Sequence, residues 1–268
     1  MEGNEKFYFS QFMGNKVYNS GGDFIGKVLD VAFEINSIYP KVVGLVCGKL
    51  DHIIPIDYIA FYNKGMIELN CKFYQVMPEE NQDKMFLVGD RILDRQIIDL
   101  EGARLVRAND VILSFVRRHS EPHLFITAID IGMRGFFRRM NLEFLVKRMQ
   151  NKFLDWQYIN LVDDCIKGLQ VNYEKNLNRL KPEDLAQIIE SLDYKRRFIL
   201  IRQLNKKIMG LTMTILKPNV CIELLKQIEP LHAIFILREM PKEKVEYILS
   251  EYTELNRFFY EVNQIGVK

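Results

Sequence analysis

Two imidazoles four residues apart, in His119-Ser-Glu-Pro-His123, are the nearest this chain comes to a metal-ligand spacing. A zinc site needs three or four protein ligands, and no cysteine or further histidine lies close by, so the segment reads as a polar loop tip. His52 follows Asp51 in a tight turn and His232 opens a helix, and neither stands in the context of a nucleophile. The sequence contains neither a phosphate-cradling G-x-x-x-x-G-K-[ST] loop nor a G-x-S-x-G nucleophile elbow. Cys47, Cys71, Cys165 and Cys221 include no C-x-x-C pair and read as small buried hydrophobes of a reducing cytosol. These residues predict a chain that binds rather than one that catalyses, with no catalytic or cofactor-binding residue to name.

The residues best placed for binding are basic. From Arg117 to Lys152 eight Lys or Arg stand against three Asp or Glu, net +5. Phe136, Phe137, Met140, Phe144, Leu145 and Met149 recur there at helical spacing, with cations between them. Such a segment can turn its basic face to an acidic partner or an anionic membrane surface, or to RNA phosphates. It can equally pack its apolar face inward and leave the cations in water. Arg134, Arg138, Arg139, Lys147 and Arg148 are the candidate partner-binding residues. No stacking platform of interleaved aromatics accompanies them.

These residues must be positioned by a chain of 268 residues, long enough for two or three domains. Hydrophobic residues make up 48% and charged residues 27%, with 37 Lys or Arg against 35 Asp or Glu. That mix excludes disorder throughout and a uniformly basic nucleic-acid coat. The polar start Met1-Glu-Gly-Asn-Glu-Lys6 and the lack of any window near ~20 apolar residues predict a cytoplasmic chain.

The first part carries turn signals at short intervals, such as Gly14-Asn15, Gly21-Gly22-Asp23 and Asn63-Lys-Gly65. Between them lie short runs with period-2 alternation, as in Val28-Leu-Asp-Val-Ala-Phe-Glu-Ile35, the mark of half-buried antiparallel strands. The pattern recurs. A shift of 80 residues brings Gly22 onto Gly102 and Asp30-Val31 onto Asp110-Val111. A shift of 100 brings Ile54-Pro-Ile-Asp-Tyr58-Ile59 onto Leu154-Asp-Trp-Gln-Tyr158-Ile159. About 20 extra residues therefore lie in the second copy, most of them between Ile131 and Lys152. Gly22 and Gly102 are expected at turns that need positive φ. Asp30 and Asp110 are expected to make local turn or strand-end hydrogen bonds.

The text Gly14-x-x-Val17, Gly22-x-x-Ile25-Gly26-x-Val28-x-Asp30-Val31 and Ile54-Pro55-x-x-x-Ile59 resembles the PRC-barrel family. That family takes in a subunit of the photosynthetic reaction centre and a ribosome maturation factor. Asp94-Arg-Gln-Ile97-Ile-Asp99-Leu-Glu-Gly102-Ala-Arg-Leu105-Val106 to Asp110-Val111 resembles the same barrel, with Val106 where the first copy has Gly26. The resemblance implies small adaptor barrels rather than an enzyme family.

After Leu161 the strand signals stop. Pro182, Pro218, Pro230 and Pro241 each stand at or near a helix start. Cys221, Ala233 and Val245 are 12 apart, as are Leu224/Leu225, Ile236/Leu237 and Ile248/Leu249. With Tyr194 to Leu204 and Lys206 to Ile215 completing the beat, about six short helices stack as a solenoid. Leu180-Lys-Pro182-Glu-Asp184-Leu185-Ala186-x-Ile188-Ile189-Glu190-x-Leu192 resembles the intracellular N-terminal domain of MgtE-type magnesium transporters. The domain is a superhelix that precedes paired CBS domains and a membrane pore. In that family magnesium bridges acidic surfaces. The resemblance carries over no ligand residue by residue, but Glu183, Asp184, Glu190 and Asp193 are carboxylates that could join such a bridge as a Mg²⁺ face, oxygen ligands of the type Mg²⁺ accepts. The alternative is that Glu183 and Asp184 serve the first-turn dipole of a solvated helix.

The fold class expected is thus α+β and multidomain, two small antiparallel β-barrels followed by an α-helical superhelix. The boundaries fall at 1–82, 83–165 (with a basic helical insert about 132–152) and 166–268. The function expected is that of a non-enzymatic cytoplasmic adaptor or regulatory module. Its partners would be another protein, CBS or membrane domains outside this sequence, or a second copy of the chain. A ribosome- or RNA-associated factor is the alternative.

Overall fold

A computed structural model of the protein describes residues 6–48, 52–63, 65–72, 75, 85–118, 121–146, 148–162 and 177–265. Its internal contacts divide the chain into two compact units. The first comprises Met1–Ile97 and Val106–Leu161, the second Ile98–Leu105 and Val162–Lys268.

The sheet region repeats one order of elements. The first copy runs β1 (Lys6–Tyr8), the one-turn α1 (Phe9–Phe12), β2 (Lys16–Tyr18), β3 (Phe24–Glu34), β4 (Lys41–Cys47) and β5 (Ile53–Pro55). A 3₁₀ turn (Ile56–Tyr58), β6 (Ile59–Asn63) and β7 (Met66–Leu69) follow. The second runs β8 (Phe86–Leu87), α2 (Val88–Arg91), β9 (Gln96–Asp99), β10 (Arg104–Arg107), β11 (Asp110–Arg118) and β12 (Glu121–Asp130). Then come α3 (Met133–Arg139), β13 (Phe153–Asp155), a 3₁₀ turn (Trp156–Tyr158) and β14 (Ile159–Leu161). Ala32 faces Gly44 where Ile112 faces Ala128, and Leu45 faces Ile54 where Ile129 faces Leu154. The offset between copies therefore steps from 80 to 84 to 100. Most of the extra residues lie between β12 and β13, as the sequence shifts required.

The expectation of two separate barrels needs correcting. Strands of both copies share one curled sheet in the order β1-β11-β12-β4-β3-β2-β7-β6, with β13, β5 and β8 attached to β12, β4 and β3. β10, β9 and β14 form a smaller sheet. The leading strand of each copy pairs not with its own long strand but with that of the other. Tyr8 faces Ile112 and Phe7 faces Leu113. Leu87 faces Ala32 and Phe86 faces Phe33. Apolar alternation selects a face for these strands but not a partner, so the exchange is invisible to periodicity.

Gly22 adopts the expected positive φ of 84°. Gly102 does not, and Ala103 takes the left-handed conformation instead, at φ 47°. Gly102 is held by space. Its amide donates to Asp99 Oδ1 at 2.8 Å, and a Cβ there would run into the same carboxylate.

The helical unit begins its helices every 12 residues, as the beat predicts. They are α4 (Pro182–Ser191), α5 (Tyr194–Arg202), α6 (Lys206–Ile215), α7 (Pro218–Leu225), α8 (Pro230–Arg238) and α9 (Lys242–Glu251), followed by α10 (Thr253–Ile265). Ile188/Ile189, Leu200/Ile201, Leu224/Leu225, Ile236/Leu237 and Ile248/Leu249 are all buried in one core with Ile98 and Val162. No helix of this length buries enough surface alone; each is stabilised by its neighbours. Helices two apart in order pack together, α4 with α6, α7 with α9 and α8 with α10. Thr212 holds the polar exception in the beat, its hydroxyl buried without a hydrogen-bond partner among the described residues.

Candidate functional site

The recurrent Asp-Val pair shows what the two copies do to each other. Asp30 Oδ1 accepts the Val31 amide at 2.7 Å, and Asp110 Oδ1 accepts the Val111 amide at 2.9 Å, the local bonds expected. Each carboxylate also reaches the one-turn helix of the opposite copy. The Gly89 amide in α2 donates to both Asp30 oxygens at 3.1 and 3.2 Å. The Ser10 amide in α1 donates to Asp110 Oδ1 at 3.1 Å, and the Ser10 hydroxyl to Oδ2 at 2.6 Å. An exposed amide at a helix start is satisfied by a carboxylate, which also complements the local dipole. Gly89 has room for no side chain, since a Cβ would come within 2.7 Å of Asp30 Oδ2. The signal was in the sequence, but its partner lay 59 or 100 positions away.

The second copy adds a charge problem and its solution. Asp30 pairs with Val46 across the sheet, whereas Asp110 pairs with Asp130. Both Asp110 and Asp130 are fully buried. Two carboxylates side by side in a dry site repel unless a cation joins them. Arg138 in α3 supplies it, with Nη1 3.0 Å from Asp110 Oδ2 and 3.2 Å from Asp130 Oδ2. The guanidinium lies over the Tyr8 ring at 3.4 Å. Burial pushes the Asp130 carboxyl above its ordinary range, opposed by the Gly132 amide and by Arg138.

The five basic candidates therefore separate. Arg138 is buried and ion-paired, which corrects its reading as a partner-binding residue. Arg139 forks onto Asp94 with contacts of 2.8 and 2.9 Å, and this hydrogen-bonded cation holds the Asp94 carboxyl below its usual range against burial. Arg134 Nε donates to Glu143 at 2.8 Å. Lys147 lies outside the described residues. Arg148 is exposed, with no ion pair among the described residues. So three cations are ion-paired within the fold, and what the excursion turns outward mixes apolar side chains, Met133, Met140, Phe144, Leu145 and Met149, with Asn141, Arg148, Gln150, Asn151 and Lys152.

The four acidic candidates are not brought together. Glu183 is exposed and Asp184 half-buried in the first turn of α4. Glu190 accepts the Lys217 amide at 2.8 Å and its ammonium at 2.9 Å, closing the start of α7. Burial pushes the Glu190 carboxyl up, but these bonds outweigh it and hold the group below its ordinary value. Asp193 caps α5 through the Arg196 amide at 3.1 Å. Among the described residues no group of three or more His, Cys, Asp or Glu side chains is placed to hold a metal ion. The carboxylates serve helix starts, a demand that a run of short helices multiplies.

Two further ties brace the helical unit. Arg197 in α5 donates to both Glu223 oxygens in α7 and to the carbonyls of Ile189 and Glu190. Lys244 in α9 donates to the carbonyls of Met213 at 3.1 Å, Thr214 at 2.7 Å and Leu216, capping the end of α6. Cys47 and Cys221 are buried and Cys71 partly so, while Cys165 lies outside the described residues. Burial pushes the Cys47 thiol up to about 11 and the Cys221 thiol up to about 12, far from a reactive thiolate. His119 is likewise outside the described residues, and His232 sits 3.5 Å from Glu229 at the start of α8. An open recess of about 460 Å³ is lined by Lys226, Tyr252, Thr253 and Glu254.

The helical unit leaves several large apolar side chains exposed, Leu211, Ile215 and Leu231 among them together with aromatics. Tyr194, Phe235, Tyr247 and Tyr260 each leave about half or more of their surface in water. Phe235 and Tyr247 occupy equal positions of successive helices. Among the described residues no helix is long and apolar enough to cross a membrane.

A family model described as the MgtE intracellular N domain matches residues 180–258, a segment wholly within the helical unit. The comparisons with curated proteins and with solved structures give no match.

Proposed function

We propose that the chain is a non-enzymatic regulatory module that acts by binding, its helical unit working as the intracellular domain of magnesium transporters does, through contact with a protein partner. The observation that carries this reading is the match at residues 180–258. The partner surface is the set of exposed aromatics on the helical unit, since aromatic side chains dominate the energetic centres of protein interfaces. The sheet unit is read as a fused pair of PRC-type barrels, supported by the motif repeated at offsets of 80 and 100, and it serves as an adaptor. The family matched is an intracellular domain, which supports a cytoplasmic setting.

Replacing Phe235 and Tyr247 together by Ser tests the link to transport in cells that carry the protein. Both side chains are exposed, so stability should change by no more than about 0.5 kcal/mol each. The expected result is a cellular Mg²⁺ content that departs from wild type in the same direction as a deletion. Equal Mg²⁺ content in wild-type, variant and deletion cells contradicts the reading.

A further inference from the structure

We infer that the excursion between β12 and β13 is a docking surface for an anionic lipid membrane. Its base is closed, because Asp130 pairs with Phe153 and the Ile131 amide donates to the Lys152 carbonyl at 2.9 Å. Its stem is fixed by the Arg138 and Arg139 ion pairs, so what it presents outward is held in place. The second half of the excursion exposes Phe144 at 61% and Leu145 at 62%, followed by Met149, and Phe153 is exposed at the start of β13. Large apolar side chains grouped on a surface mark an interaction site. Arg148 and Lys152 stand exposed among them. No acidic residue occurs between Glu143 and Asp155, so every charge there has one sign.

Apolar groups that enter the acyl boundary, flanked by cations at headgroup level, are the chemistry of interfacial binding to anionic lipid. The exposed cations Arg148 and Lys152 select against a neutral surface and against a second copy of the same patch, which would set like charges face to face. The inference concerns the sheet unit and stands apart from the role proposed for the helical unit.

The test is co-sedimentation of the full chain with phosphatidylcholine vesicles made with and without phosphatidylglycerol. The chain is expected to bind the anionic vesicles and to leave them as salt rises. Arg148→Ala/Lys152→Ala should weaken that binding roughly 30-fold, from two cations each worth about fivefold at an anionic surface. Phe144→Ser/Leu145→Ser should abolish the binding that persists at high salt. All four side chains are exposed, and near-ultraviolet dichroism of the buried Trp156 reports whether the sheet unit keeps its packing. No binding to anionic vesicles at low salt overturns the inference, as does binding by both variants equal to that of the wild type. Self-association in the absence of lipid, lost in Phe144→Ser/Leu145→Ser, also overturns it by assigning the patch to a second copy.

Discussion

Replacing Arg138 by Met is expected to destabilise the sheet unit by about 3–5 kcal/mol, because it strands two buried carboxylates without a cation. The unfolding midpoint should fall on the order of 10 °C. The loss follows from geometry: Arg138 Nη1 sits 3.0 and 3.2 Å from Asp110 and Asp130, both fully buried. The first copy shows how the site does without it, since Val46 stands opposite Asp30 where Asp130 stands opposite Asp110. Asp130→Val/Arg138→Met should therefore recover most of the stability, as buried ion pairs replaced by apolar residues often do. The pH dependence has a definite sign. A carboxyl whose folded value is raised favours the fold below its unfolded value, 3.8 here, and loses that contribution as pH rises through the folded value. Without Arg138 the Asp130 carboxyl is pushed further up, so the deficit of the single variant should be large near neutral pH and shrink toward acid. Thermal unfolding across pH decides the matter. A single variant as stable as wild type, or a double variant no better than the single, contradicts the assignment.

Cutting the sheet region between its copies should have the second large effect. Residues 1–82 alone would leave β3 without β8, Asp30 without the Gly89 amide, and β1 without β11. The apolar contacts that cross between copies would go as well, among them Phe33 with Phe86 at 5.8 Å and Phe7 with Phe115 at 5.6 Å. A domain of about 80 residues has little stability to spare, so these losses exceed what it can absorb. The expected outcome is that 1–82 and 83–162 each fail to unfold cooperatively as monomers, and that mixing them yields a one-to-one complex that does. Size-exclusion chromatography with thermal dichroism reads both. A folded monomer of 1–82 contradicts the interlock.

Much of this architecture is legible before any coordinates. The 12-residue beat places the starts of α4 to α9, because a short helix that must bury one stripe repeats its apolar pairs at a fixed interval. The shifts of 80 and 100 locate the repeated strands and the excursion. Pairing partners are a different matter. Tyr8 and Ile112 lie far apart in sequence, and alternation specifies which face is buried without naming the neighbour. Charge count misleads for a related reason. Arg134, Arg138 and Arg139 raise the local net charge, yet each meets a carboxylate whose position depends on the fold. Two of the acidic candidates likewise meet partners that the fold sets, Glu190 and Asp193 accepting amides at the starts of α7 and α5. Asp130 is the residue that could have warned of this, because a carboxylate at the end of a buried strand calls for a cation.

The central claim is that the chain works by being bound through its helical unit. A photo-activatable residue placed at 235 or at 247, with exposed position 187 as the control, tests it in cells that carry the protein. The account predicts a discrete adduct with a membrane transport protein from 235 and 247 and none from 187. No adduct from 235 or 247 above the level at 187 would contradict it.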